Sequence, residues 1–404
     1  MNTWKWLAGV LLAAGVCRAE PVVIDHRHTD ITALTQARIE RAKAVLHIAY
    51  GHTSHGSQLT DGMSGLVGFA NGGGKGLSLP ENLFAWNNGG TGGALDLHDY
   101  AMGGDVGYYP QWVQNTTNYL NNPANADVNV IIWSWCGQMD DKCSAGTLTN
   151  EYLAPMAALE AAYPDVVFVY MTGHVDIWDD ADNKAACEAI RLWCSTGNRV
   201  LYDFNDIEHW DPDGTYYEFV NDDCSVYGGP GGSATGNWAT EWQDSHVQNT
   251  DWYSCGSAHS QPLNANQKAY AAWALWCALA EDLDRDGIGD EWEERYGGTA
   301  LFEGGGHDWD HDGITDRDEY VADSCPTNPG LPFAIEGLAE DDGTGAVVAS
   351  SAGRMYSLSV STDLADGGWT TVTSRMGTGT TLSLVDENPV PGLNAYRVGV
   401  AVPE

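Results

Sequence analysis

The run GHTSHGS, residues 51–57, places two histidines, a threonine and two serines at the end of an apolar stretch. A hydroxyl becomes a useful nucleophile only when a base about 3 Å away takes its proton. Histidine beside serine is therefore a pattern that chemistry needs and packing does not. Three other apolar runs end in polar groups as well. VNVIIWSWC passes into GQMDD, DVVFVYMT into GHVD, and RVLYDF into NDIEHWDPDG. The four ends together carry His52, Ser54, His55, Ser57, Gln138, His174, Asp176, Asp203 and Asp206. One such end is ordinary turn chemistry; four point to an active or binding site. His52, His55 and His174 with an acid also leave open a zinc or iron centre. His47, inside the first run, reads as a satisfied core residue.

A second chemistry lies further along the chain. Asp282, Asp284, Asp286, Asp290 and Glu293 fall at positions 1, 3, 5, 9 and 12 of a loop with Gly287 at position 6. Asp308, Asp310, Asp312, Asp316 and Glu319, with Gly313, repeat that spacing twenty-six residues on. Carboxylates at alternate positions wrap a hard cation, the glycine allows the sharp turn, and the last Glu can bind through both oxygens. These units resemble the aspartate-rich repeats of thrombospondin type 3 and dockerin-like proteins, which implies structural calcium. Ile288 and Ile314 stand one place earlier than the branched residue of an EF-hand, which implies loops without flanking helices.

The elements that must position these groups follow from periodicity. AKAVLHIAY (42–50) reads as a buried strand, and Leu59, Met63, Leu66 and Val67 after it mark a helix. Helices are expected near 111–121, 150–163, 183–195 and 264–281, alternating with strands at 128–136, 165–172 and 199–204. Apolar strands separated by amphipathic helices predict a parallel sheet covered on both faces. Ligands of such sheets bind outside the carboxyl ends of the strands. The organisation expected is a signal peptide over 1–19, an α/β domain over 20–281, a calcium-binding linker over 282–330 and a small β-rich module over 331–404. The module is read from RMYSLSVS, WTTVTS, TTLSLVD and AYRVGVAV. Residues 221–261, rich in Gly, Trp and Asp, read as a long irregular loop walling the cleft. Trp238, Trp242 and Trp252 within it are candidates for stacking on a sugar.

With these blocks in order, the large domain resembles the SGNH (GDSL-like) hydrolases, a flavodoxin-like family of ester and acetyl hydrolases. YGHTSHGSQLTDG stands where that family carries its nucleophile turn, and WNNGGTGGALD (86–96) looks like its Gly-rich loop. WCGQMD occupies the place of the Asn block, and SAHSQPLNANQKAYAAWALW is similar to the histidine block with its closing helix. The resemblance implies Ser54 as nucleophile, with Ser57 the alternative and Thr53 aligning only without a gap. It implies His259 as base, and oxyanion donors near Ser54, at Gly90 and on Gln138. The family's aspartate three residues before the histidine is Gly256 here, so Asp251 is assigned to orient His259. His52, His55, His174 and Asp176 become substrate contacts.

Composition narrows the partners. Fifty-six acids against eighteen Lys and Arg give a net charge of −38, which repels nucleic acid and anionic membranes. The opening MNTWKWLAGVLLAAGVCRAE has one early lysine, a short apolar core and Ala19 at a cleavage position, as secretory signals do. Export makes disulfides the expectation for the eight remaining cysteines, Cys224 and Cys255 as staples of the long loop among them. The reading is thus a secreted ester hydrolase of acylated carbohydrate or polysaccharide, with structural calcium, no organic cofactor and no membrane span. The competing readings are a glycosidase or lyase using Asp176, Asp203, Asp206 or Glu208, and a non-catalytic carbohydrate-binding surface protein.

Overall fold

The computed structural model describes residues 21–297, 306–330, 333–339, 344–361, 368–389 and 395–403. The expected signal peptide and Cys17 lie outside the described residues. The chain divides into two units, residues 20–284 and Arg285–Glu404. That boundary lies inside the first acidic loop, three residues beyond the expected one, and joins the second loop to the β module.

The first unit is built on a seven-stranded, all-parallel sheet. Its strands are β1 (Val23–Ile24), β2 (His47–Gly51), β3 (Trp86–Asn87), β4 (Leu95–Met102), β5 (Val130–Trp133), β6 (Val167–Met171) and β7 (Val200–Tyr202). They lie in the order β1-β7-β6-β5-β2-β4-β3. Side chains alternate faces along each strand, and here both faces are buried. Ile48, Tyr50, Val130 and Ile132 enter one core, while Ala49, Ile131 and Trp133 enter the other. The first core is closed by α1 (Gln36–Val45), α2 (Ser57–Asn71) and α9 (Pro262–Leu279). The second is closed by α3 (Gln111–Leu120), α5 (Ala154–Ala162) and α6 (Asp180–Gly197), with α4 (Met139–Ser144) beside α6. Because β2 has β5 on one side and β4 on the other, the sheet changes winding direction there. The carboxyl ends of β2 and β5 therefore flank the crevice where parallel sheets bind ligands.

The expected helices and the three later strands are present with shifts of a few residues. Several expectations are corrected. Residues 42–45 belong to α1, because Thr35 caps a helix whose Ile39 and Ala42 face the core, and the strand begins only at His47. β1, β3 and β4 were not expected: two are two residues long, and β4 reads LDLHDYAM, in which Asp96, His98 and Asp99 interrupt the apolar run. The loop over 221–261 holds a hairpin, β8 (Ser225–Tyr227) and β9 (Ala234–Asn237), then α8 (Trp238–Ser245); α7 (Phe204–Glu208) precedes it. No disulfide forms among the described cysteines, since each thiol has its own surroundings. Cys224 meets Ser260 and Cys255 meets Asn266, rather than each other.

In the second unit each acidic loop leads directly into a helix, α10 (Asp290–Tyr296) and α11 (Asp316–Ala322), so exit helices exist where none were expected. Ile288 is buried against Trp292, which anchors the first of them. Two antiparallel sheets follow, β10 (Ile335–Leu338) with β11 (Thr344–Ala349) and β14 (Thr381–Asp386), and β13 (Thr370–Met376) with β12 (Met355–Ser361) and β15 (Ala395–Ala401). Val348, Tyr356, Leu358, Leu384 and Val398 form their shared core. Arg354 ties this module to α11 by donating to the carbonyls of Tyr320 and Val321. Among the described residues no helix is long and apolar enough to cross a membrane.

Candidate active site

The turn between β2 and α2 is shaped by close approach. A Cβ on Gly51 would lie 2.4 Å from the Trp133 ring, and one on Gly56 would lie 2.2 Å from Ser134 Oγ. Only glycine fits either place, so the turn folds back tightly and presents Ser54 beyond the carboxyl end of β2. Ser54 Oγ lies 3.0 Å from His259 Nε2, although 205 residues separate them in the chain. His259 stands in the turn that opens α9, at φ +64°, a left-handed conformation that costs a non-glycine residue energy. Burial and the neighbouring His55 charge both lower its pKa, which keeps the ring neutral and able to accept a proton.

Two groups beside this pair were missed by sequence reasoning. Cys136, just past β5, has its Sγ 3.3 Å from Ser54 Oγ and 3.5 Å from His55 Nδ1. Asp222, in the long connection after α7, accepts from His55 Nε2 at 3.1 Å. Burial works against a charge on His55, yet the bonds to Asp222 and Cys136 outweigh it and raise its pKa to about 9. The His55 hydrogen bond, aided by the Ser54 and Thr53 hydroxyls and opposed by burial, lowers the Cys136 thiol to about 6. His174 and His259 stack on the two faces of His55, with centroids at 4.0 and 4.3 Å. A cysteine at the end of a buried strand, level with GHTSHGS, was the signal available for Cys136. Nothing local marks Asp222.

Other expected site residues are placed elsewhere. Gly90 is beside Asp96, whose partner in the sheet is His47 at the amino end of β2. β2 alone spans about 13 Å between that end and the Ser54 turn at 3.3 Å per residue, so Gly90 cannot face the same atom as Ser54. The polar loop next to the turn is instead the one after β4, where buried Asp105 accepts from Thr53 Oγ1 at 3.2 Å. Asp251 accepts from the backbone of Val247, so it shapes its own loop and does not orient His259. Ser57 is bound to the Ser54 carbonyl and to Asp61, the work of a residue beginning a helix. Gln138 lies near the turn, at φ +66°, with its Oε1 accepting from Gly137 N–H.

His52 is sealed: Nε2 meets Asp99 at 2.7 Å and Nδ1 donates to the Thr53 carbonyl at 2.9 Å. Of the histidines expected in a zinc or iron set, His52 is thus committed to Asp99 and Thr53, while His55 offers a ligand atom within 4.8 Å of those of Asp222 and His259. His47 is half-buried and bonded to Asp96. Asp176 receives Trp178 N–H. Trp238 and Trp242 are core residues and Trp252 packs against them, because α8 turns its aromatic face inward. Tyr100, which packs against His52, and Trp178, four residues beyond His174, are exposed rings.

Three of the four acids of the glycosidase reading are held by basic side chains. Arg191 clamps Asp203 through two nitrogens at 2.6 and 2.9 Å, and His26 holds Asp206 at 2.5 Å. Glu208 and Lys268 form a fully buried pair under the site.

The first acidic loop is divided by the unit boundary, with Asp282 and Asp284 ending the first unit and Asp286, Asp290 and Glu293 opening the second. In the second loop, Asp308 accepts from the backbone of Asp312 and Gly313, and Asp316 from that of Trp309. Asp310 Oδ2 and Glu319 Oε2 are buried with no hydrogen-bond donor. Burial first, then Asp310 and Asp312, push the Glu319 carboxyl up to about 7. Buried, unsatisfied carboxylate oxygens among further carboxylates are what a hard divalent cation relieves, so these residues fit calcium. No family model, curated protein or solved structure matches the chain.

Proposed function

We propose that this protein is an exported ester hydrolase whose large unit works as a flavodoxin-like, SGNH-type enzyme on acylated carbohydrates. The observation that carries the reading is the 3.0 Å contact between Ser54 Oγ and His259 Nε2 at the winding switch of a parallel sheet. In the reaction, neutral His259 takes the Ser54 proton as the oxygen attacks the ester carbonyl. The resulting imidazolium then returns that proton to the leaving alcohol, and water repeats the cycle on the acyl-serine. Asp222 favours the imidazolium electrostatically and replaces Asp251 in that role. Tyr100 and Trp178 replace the buried tryptophans as rings on which a sugar would stack. The glycosidase or lyase reading loses support because Asp203, Asp206 and Glu208 are bound to Arg191, His26 and Lys268. A non-catalytic carbohydrate-binding role is the alternative outcome of the test.

That test treats the full chain with a fluorophosphonate and maps the adduct by peptide mass. An adduct on Ser54 that denaturation abolishes supports the reading; a folded protein with no serine adduct removes it. Calcium belongs to the same proposal as a structural ion. Asp308, Asp310, Asp312, Asp316 and Glu319 would hold it in the second loop. With a Kd of roughly 10⁻⁴ M, a hundredfold excess of calcium stabilises its unit by about 2.7 kcal/mol. Thermal melts with and without calcium should show that gain, and Glu319→Gln should remove it.

A further inference from the structure

The serine reaction leaves a thiol and an imidazole in the same cleft unused, both in line with Asp222. Asp222 Oδ2, His55 and Cys136 Sγ form a hydrogen-bonded line, with contacts of 3.1 and 3.5 Å at the two ring nitrogens. His174 and His259 grip the ring between them, which fixes the direction of that line. Core cysteines look different. Cys187, Cys224 and Cys277 are buried, and burial raises their thiols, the last two to about 12. Cys136 is half-buried and ringed by His55, Ser54 and Thr53.

We propose that Cys136 is a second nucleophile of this site, activated by His55 with Asp222 orienting the ring, and that it accepts acyl groups from activated esters and thioesters. The thiolate attacks the acyl carbonyl, forming a carbon–sulfur bond. The bond to the alkoxide or thiolate leaving group breaks, and that group takes the proton from His55 Nδ1. Water then attacks the thioester while neutral His55 takes its proton. The carboxylic acid leaves, and the thiolate and imidazolium are restored. This acyl transfer rests on reading the cleft as an acyl-hydrolase site; the activated thiol does not.

The charges around the pair set a pH window. Asp222 and Glu208 favour the His55 cation, and His259 and His174 lie on its two faces. Thiolate and imidazolium coexist between about pH 6 and about pH 9.

Two measurements on the full chain test this. The first follows alkylation of Cys136 by iodoacetamide from pH 5 to 10, mapped by peptide mass, in the wild type, His55→Gln and Asp222→Asn. A low-pKa thiolate is individually less nucleophilic, which tempers the gain from ionisation. On that basis His55→Gln should react about 20-fold more slowly at pH 6. Asp222→Asn, which keeps the ring, should fall between the two and serves if His55→Gln does not fold. A wild-type profile that rises only through pH 8 to 9, or one unchanged in folded variants, overturns the activated thiol. The second pulses Ser54→Ala with p-nitrophenyl acetate and looks for a hydroxylamine-labile acetyl group on Cys136. An acetylated Cys136 supports the acyl transfer, and its absence in protein that alkylates at low pH overturns it. Failure of the serine reading shows separately, in the fluorophosphonate adduct.

Discussion

His52 and His55 stand three residues apart on one turn, and each carries an aspartate on Nε2, at 2.7 and 3.1 Å. The two pairs nevertheless do different things. His52 is buried between Tyr50 and Tyr100 and spends its other nitrogen on a backbone carbonyl. A carbonyl has no proton to exchange, so that ring holds the turn. His55 spends its other nitrogen on a thiol, which has one. The role of a histidine–aspartate pair is therefore decided by what the far nitrogen meets.

The largest test of this contrast is kinetic. Ser54→Ala, which removes the hydroxyl served by His259, should cut ester turnover by at least about 10³-fold with folding intact. A folded Ser54→Ala protein with near wild-type turnover would place the chemistry on Cys136 or nowhere in this cleft. Next comes Glu208→Gln, beneath His55. It strands the fully buried Lys268 charge and should cost about 3–5 kcal/mol in urea unfolding. A cost below about 1 kcal/mol would mean that Lys268 is neutral in the fold.

His52→Gln should cost about 1–3 kcal/mol, the penalty for unsatisfied buried partners, while leaving the alkylation profile of Cys136 in place. If that profile moves with His52, the division between a structural and a chemical pair fails. The smallest effect is a slope. The His55 pKa is raised, so its contribution is full below about pH 6.5 and is lost as pH rises through about 9. The Cys136 pKa is lowered, so its contribution is lost as pH falls through about 6 and is full above about 9. Between those limits the two slopes oppose each other, and wild-type stability should be nearly flat. Cys136→Ser removes the opposing slope together with the thiol's own share of the His55 shift, so the Asp222 share remains and stability should fall by about 1 kcal/mol from pH 6.5 to 9. Denaturant titrations at several pH values would show it.

How much of this was legible in sequence depends on the range of each interaction. Apolar runs at strand and helix periods identified β5, β6, β7, α2, α3, α6 and α9, because burial on a repeating face is a local property of the chain. β1 and β3 were too short to show a period. The tryptophans near 240 could not be sorted into core or surface from composition, because the inward turn of α8 is a property of packing.

For the site, the types and spacing of residues by themselves marked the carboxyl ends of the strands as the place where polar side chains gather. They set the twice-repeated carboxylate spacing of the acidic loops, while Ser54 and His259 were singled out by the order of blocks that resembles the SGNH hydrolases. Only the tertiary structure decided which acid and which thiol join them. Asp222 approaches His55 across 167 residues and Cys136 across 81, and no local rule ranks one distant aspartate over another. The same structure carried Gly90 to the opposite end of the sheet, since a Gly-rich loop reads alike at either end of a strand. Periodicity and ligand spacing are written along the chain, whereas the partner of a side chain is written by which strands lie side by side.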